Sequence, residues 1–289
     1  MKQTQQRIFC LMFALLTGFS SFAQNHGYWK SANETEFNAN LIHQPNMPDQ
    51  FSLYALNHAQ VVLDLSAAPH ENELPVHQST VLIKLPIGNN QFETFRVVKA
   101  PVMDPLLAAK YPGIHSYMGK GLKNPGMIAR FDVSPYGMNA LIFMPDAPTV
   151  YVDHIQGNYY RVSSREDIDM HKTFRCLTDA ISTTLTNETA RPLNANQPRL
   201  RKYRLALLSG AEFSLHFVQP SDNTDALKKA RVLAQQNAQM TRANALFERD
   251  LSIRMILVPN NDTIIYLNAA TDPVSNATSP NQTQLQNAI

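Results

Sequence analysis

From Gln24 to about Tyr160 the apolar residues come in short β-rich runs, broken at close intervals by Pro, Gly and Asn. Several short strands with frequent turns call for an antiparallel sheet, open or folded into a sandwich. The pattern predicts strands at 59–65, 80–85, 91–99, 127–133, 139–143 and 149–153. Between the second and third, Gly88-Asn89-Asn90 reads as a hairpin turn, because Gly and Asn tolerate the positive φ that such turns require. Residues 105–110 read as one or two helical turns, and no internal repeat is visible.

The pattern changes after a polar stretch between Ser163 and Pro198, which reads as an exposed connector. Beyond it a short apolar run at 203–208 precedes a helical segment at 224–247, and a second strand-like run follows at 252–258. Asp222 to Thr224 offer polar side chains that can cap free amides at the helix start. Ala226, Ala230, Leu233, Met240 and Phe247 share one face, while Asn237 and Asn244 interrupt the stripe as edge residues or as partners satisfied within the fold. At 1.5 Å per residue such a helix is about 36 Å long, enough to return along a sheet and join two parallel strands by a right-handed crossover. A third strand is expected at 263–267, after a turn at 259–262. One helix covers only one face of a parallel pair, so this unit reads as unfinished.

Residues 1–23 have the three parts of an export signal: Lys2 and Arg7, an apolar stretch from Ile8 to Phe19, and small residues at Ser21 and Ala23 that place the cut before Gln24. About 12 apolar residues fall short of the roughly 20 that cross a bilayer. The exported form is therefore expected to be secreted or periplasmic, with no membrane contact once the signal is gone. The formal charge of +2 resides in Lys2 and Arg7, which leaves the mature chain near neutrality. No basic stripe interleaved with aromatics occurs, so a nucleic-acid partner is not expected.

Longer phrases carry a resemblance. Pro101-Val-Met-Asp-Pro-Leu-Leu-Ala-Ala-Lys-Tyr-Pro-Gly-Ile-His-Ser-Tyr117, then Gly119 to Leu122, then Arg130-Phe-Asp-Val-Ser-Pro-Tyr-Gly137, are similar to the propeptide of bacterial reprolysin-like (metzincin, adamalysin-type) zinc metallopeptidases. Tyr203-Arg-Leu-Ala-Leu207, Met240-Thr-Arg-Ala-Asn244, Phe247-Glu-Arg-Asp250 and Asp262-Thr-Ile-Ile-Tyr-Leu-Asn-Ala-Ala-Thr-Asp-Pro273 resemble the opening of that family's catalytic domain. The resemblance implies an α+β chain in four parts: a signal peptide at 1–23, a β-rich antiparallel propeptide at 24–162, a connector at 163–198, and the strand-helix-strand start of a metzincin domain at 199–289. In the complete protein it implies zinc-dependent hydrolysis of protein or peptide substrates, with the propeptide resting on its own catalytic domain.

The family's zinc motif, H-E-x-x-H-x-x-G-x-x-H, sets two His one helical turn apart and a third beyond a Gly bend, with Glu as general base. None of the nine His fits it. His70-Glu71 comes nearest, but Leu74 occupies the second His position, and Pro69 and Pro75 disrupt the helix the motif needs. His70 and His77 read as solvated loop residues. The motif is expected downstream of Ile289, so this chain is expected to hold no zinc and to have no catalytic residue of its own. In the family's precursors a Cys near the end of the propeptide can fill the open zinc position, and Cys176 matches by location, although Leu177 follows it where Gly is commoner. A buried or idle thiol is the other reading. The basic cluster Arg199, Arg201, Lys202 and Arg204 suits an activating protease and equally suits a solvated strand edge. The rival from another class is a secreted, non-enzymatic binding or inhibitory protein built on the β-rich half.

Overall fold

The computed structural model describes residues 27–36, 48, 50–88, 90–167 and 200–273. Among them nine strands form one antiparallel sheet: β1 (Trp29–Ser31), β2 (Ser52–Leu56), β3 (Leu82–Pro86), β4 (Phe92–Lys99), β5 (His115–Gly121), β6 (Ile128–Ser134), β7 (Gly137–Met144), β8 (Ala147–Gln156) and β9 (Tyr159–Ser164). Their order is β1-β2-β9-β8-β7-β6-β5-β4-β3, a meander from β3 to β9 extended by the two N-terminal strands. The sheet curls until its edges approach one another. The Trp29 indole Nε1 on edge strand β1 donates to the Lys84 carbonyl on edge strand β3 at 2.7 Å, and Tyr54 on β2 meets the β3–β4 turn through a 2.9 Å bond from its hydroxyl to Asn90 Oδ1.

The period-two alternation of strands decides what fills the curl. Ala129, Phe131 and Val133 of β6 point inward with Phe95, Val97, Ala140, Ile142, Val152 and Tyr160, all buried in one core. The helix α1 (His58–Ser66) closes that core by adding Val61 and Leu65. This corrects the strand expected at 59–65. Asn57 caps the helix by accepting from the Gln60 amide at 3.3 Å. Val61 and Leu65 lie one helical turn apart on the core side, while Leu63 is 64% exposed. Burying Val61 and Leu65 together in the core requires helical spacing, and that tertiary demand overrides the β preference of two adjacent valines.

The other expected strands overlap β3, β4, β6, β7 and β8 to within one or two residues at their starts, and residues 105–110 are the helix α2 (Pro105–Lys110), capped by Asp104 through the Leu106 amide at 2.9 Å. The Gly88–Asn90 turn has the positive φ expected of it, +89° at Gly88 and +56° at Asn90. Strand β5 carries Gly119 and Gly121 and gives little strand signal. A Cβ at Gly119 would stand 3.1 Å from the Phe95 Cβ, so glycine there lets the neighbouring strand pack closely.

The C-terminal part contains β10 (Arg201–Leu205), α3 (Ala211–Phe217), α4 (Asp225–Leu251) and β11 (Ile253–Leu257). As expected, β10 and β11 pair in parallel, Arg201 opposite Ile253 through Leu205 opposite Leu257. Thr224 caps α4 by accepting from the Leu227 amide at 3.2 Å, and Ser252 ends it in the left-handed region at φ +54°. The strand expected at 263–267 is replaced by a 3-10 turn at Asn261–Ile264, and only Ile265 bridges to Ser209. Asn261 is held through its side chain, which accepts from the Leu207 amide at 2.8 Å and donates to Gln236 Oε1 at 2.8 Å. Those bonds pull the backbone into a turn before a strand can form. Among the described residues no helix is long and apolar enough to cross a membrane.

Candidate functional site

The two parts of the chain meet along one seam. Residues 102–104 run beside β11 as a parallel neighbour: the Leu257 amide donates to the Val102 carbonyl at 2.8 Å and the Asp104 amide to the Leu257 carbonyl at 2.9 Å. Helix α4 lies between the outer face of β5–β7 and strand β11. Being enclosed on two sides explains why the middle of its apolar stripe is polar. Ser116 on β5 donates to Asn237 Oδ1 at 3.0 Å and stands 2.8 Å from the Thr241 hydroxyl. Asn244 brackets the backbone of Met255: its Nδ2 donates to the carbonyl at 2.8 Å and its Oδ1 accepts from the amide at 2.8 Å. Both Asn residues are buried and satisfied, which agrees with the structural role expected of them.

A charged cluster fastens the seam. Arg254 on β11 and Arg130 on β6 are each 1% exposed. Arg254 forks onto two carboxylates. Its Nε and Nη2 reach Glu248 of α4 at 2.6 and 3.1 Å, and its Nη1 and Nη2 reach Glu71, the latter at 3.0 Å. Arg130 Nη2 stands 3.2 Å from Glu248 Oε1 and 3.4 Å from the Ala100 carbonyl. Burial alone would raise the Glu71 carboxyl, but the bonds and charge of Arg254, aided by Lys202 and Arg130, outweigh it and hold Glu71 below the usual carboxylate range. Burial drives the Arg130 guanidinium down to about 10 against the pull of Glu248. Charge-assisted bonds of this kind are stronger than neutral ones, and a buried member left without its partner is costly.

A second charged group lies further along α4. Arg242 donates to Asp153 Oδ1 at 2.5 Å and to the Val152 carbonyl at 3.0 Å, while Arg161 reaches Asp153 Oδ2 at 3.1 Å. Burial alone would raise Asp153, but Arg242 and then Arg161 hold it low. Asp132 on β6 has no such direct bond from a cation; burial pushes it up to about 7, against the opposing influence of Arg242 and Asn139, and its Oδ1 lacks a partner.

Of the residues singled out in the sequence, Ala23, Gln24, Cys176 and Arg199 lie outside the described residues. Arg201, Lys202 and Arg204 lie exposed on β10, and Lys202 Nζ is 3.6 Å from Glu71 Oε1. His70 accepts the Asn72 amide at Nδ1 over 3.1 Å, and His77 touches Gln78 at 3.4 Å. Among the described residues no three His, Cys, Asp or Glu side chains gather to hold a metal ion, so they do not fit a zinc site and no chemical step is assigned to them. Sequence reasoning missed the cluster itself. Its members stand on separate elements, and the clues were present only as single residues: Glu71 in the rejected zinc motif, and Arg130 and Glu248 inside the long phrases.

The geometry is that of a clamp, with backbone pairing along an edge, an amide bracket on Met255 and a forked arginine joining three elements. No protein-family model, curated protein or solved structure matches the chain.

Proposed function

We propose that this chain is the propeptide and the opening of the catalytic domain of an exported zinc metallopeptidase precursor, reprolysin-like and of metzincin type, in which the nine-stranded sheet acts as a scaffold for the strand-helix-strand unit. The supporting observation is the seam. The β-rich part lends residues 102–104 to the β11 edge and a charged socket to Arg254, as a domain that templates and restrains its neighbour would. The phrases that resemble the family lie on both sides of it, with Arg130 in one and Glu248 in another. In the complete protein the reaction is peptide-bond hydrolysis, with zinc held by sequence beyond Ile289 and Cys176 as the candidate inhibitory ligand. The mature precursor begins at Gln24 and resides outside the cytoplasm, and its first partner is its own catalytic domain.

The decisive experiment expresses the reading frame extended past Ile289, measures zinc per chain, and assays casein cleavage before and after processing. One zinc per chain with chelator-sensitive cleavage after processing is expected. A zinc-loaded, processed protein that leaves casein and a peptide library intact would overturn the proposal.

A further inference from the structure

Helix α4 covers only part of the sheet face on which it lies. Where its last turn ends, Met118, Ile128, Phe143, Met144 and Pro145 leave an apolar cavity of about 610 Å³, roofed by Ala245, Glu248 and Arg249. Cavities of a few hundred Å³ with apolar walls and a few convergent polar groups are the usual form of a small-molecule site.

Arg130 borders this cavity and has unmet bonding capacity. Its Nη2 is occupied by Glu248 and the Ala100 carbonyl, whereas Nε and Nη1 have no acceptor. Glu248 has little to add, because both of its oxygens already bond Arg254. Within the buried part of the cluster Arg130 and Arg254 face Glu71 and Glu248, so charge is balanced there, and Lys202 beside Glu71 is half-exposed; what Arg130 lacks is acceptors for Nε and Nη1. At the rim Arg249 lies over the Phe143 ring, 4.4 Å from its centroid, and its charge is balanced by the exposed Asp250. A buried guanidinium with unmade bonds is unfavourable, and one added carboxylate would supply the missing acceptors.

We infer that this cavity is a binding site for a monocarboxylate carried on an apolar body, of the straight-chain fatty-acid class, with its carboxylate at Arg130 and its chain along Met118, Ile128 and Phe143. The apolar walls alone would accept any oily molecule; Arg130 makes the site selective for the acid. The site needs no zinc and no sequence beyond Ile289, so it stands independently of the proposed peptidase role.

Isothermal titration calorimetry on the full chain at pH 7 tests this with decanoate, decanol and acetate as probes. Decanoate is expected to bind one per chain and at least tenfold tighter than decanol, with acetate showing no saturation. Arg130→Met should bring decanoate and decanol to within about twofold of each other. Thr149→Trp, at a half-buried residue lining the cavity, should weaken decanoate at least tenfold while leaving the circular dichroism spectrum unchanged. That variant keeps the test decisive if Arg130→Met does not fold. Equal affinity for acid and alcohol, no saturable binding of decanoate, or binding indifferent to Thr149→Trp would each overturn the inference.

Discussion

Arg254 and Glu71, 183 positions apart in the chain, are joined by two guanidinium–carboxylate hydrogen bonds, the Nη2 to Oε2 bond at 3.0 Å. Arg254 belongs to the strand-helix-strand unit and Glu71 to the loop after α1. Two such bonds fix orientation as well as distance, so this pair sets the register in which the two parts meet.

Removing both members should therefore cost less than the sum of removing each alone. Glu71→Gln takes a charge from a buried pair and should lower unfolding stability by about 3 kcal/mol, within the range for breaking a buried ion pair. The double variant Glu71→Gln, Arg254→Met should lose clearly less than the sum of the single variants. Urea denaturation of the four proteins checks this, and strict additivity would show that the pair is not coupled.

The Asn244 bracket makes a local prediction. Asn244→Ala removes the acceptor of the Met255 amide and the donor to its carbonyl, leaving both part-buried groups unpaired at a cost of about 2 kcal/mol. Hydrogen exchange at the Met255 amide should speed up at least tenfold relative to β6, and exchange that is unchanged would refute the bracket's role.

Stability should depend on pH in two opposite ways. Asp132 is raised to about 7, so its contribution is fully present below the ordinary carboxylate range and is lost as pH rises from about 4 to about 7. Glu71 and Asp153 are lowered, so their contribution is present above the ordinary range and is lost as pH falls through their folded-state values. Asp132→Asn should remove the decline on the neutral side and raise stability at pH 8 by on the order of 1 kcal/mol. Thermal melts from pH 3 to pH 8 on both proteins would show this, and parallel curves would contradict it.

Proteolytic access to the basic cluster should be limited by pairing. A protease needs unpaired, extended backbone, and Arg201 already donates its amide to the Ser252 carbonyl at 2.9 Å at the start of the ladder with β11. Limited trypsin digestion is expected to create new N-termini no later than Leu200, with the bonds after Arg201, Lys202 and Arg204 surviving until the chain unfolds. N-terminal sequencing that finds an end at Lys202 or Tyr203 under native conditions would place the cut inside the strand instead.

If the chain is a zymogen, Cys176→Ser in the extended, zinc-loaded precursor should raise activity before processing, because a hydroxyl is a poor zinc ligand and a thiolate a good one. A variant as latent as the parent would assign latency to the bulk of the β-rich part.

Local chemistry was sufficient for much of the framework. The Thr224 cap and the stripe from Ala226 to Phe247 define α4, Gly88 and Asn90 define their turn, and the two short apolar runs around the helix imply the parallel pairing of β10 with β11. Each depends on residues within a few turns of one another, where backbone preference and periodicity are written directly in the chain. Other features were decided by tertiary structure alone. Residues 59–65 became a helix because Val61 and Leu65, one helical turn apart, complete the core inside the curled sheet, and 263–267 did not become a strand because Gln236 and Leu207 take hold of Asn261. The joining of Glu71, Arg130, Glu248 and Arg254 has no periodicity to reveal it, since a buried charge is tolerated only where distant elements bring its partner, and that partner is known only once the chain has folded.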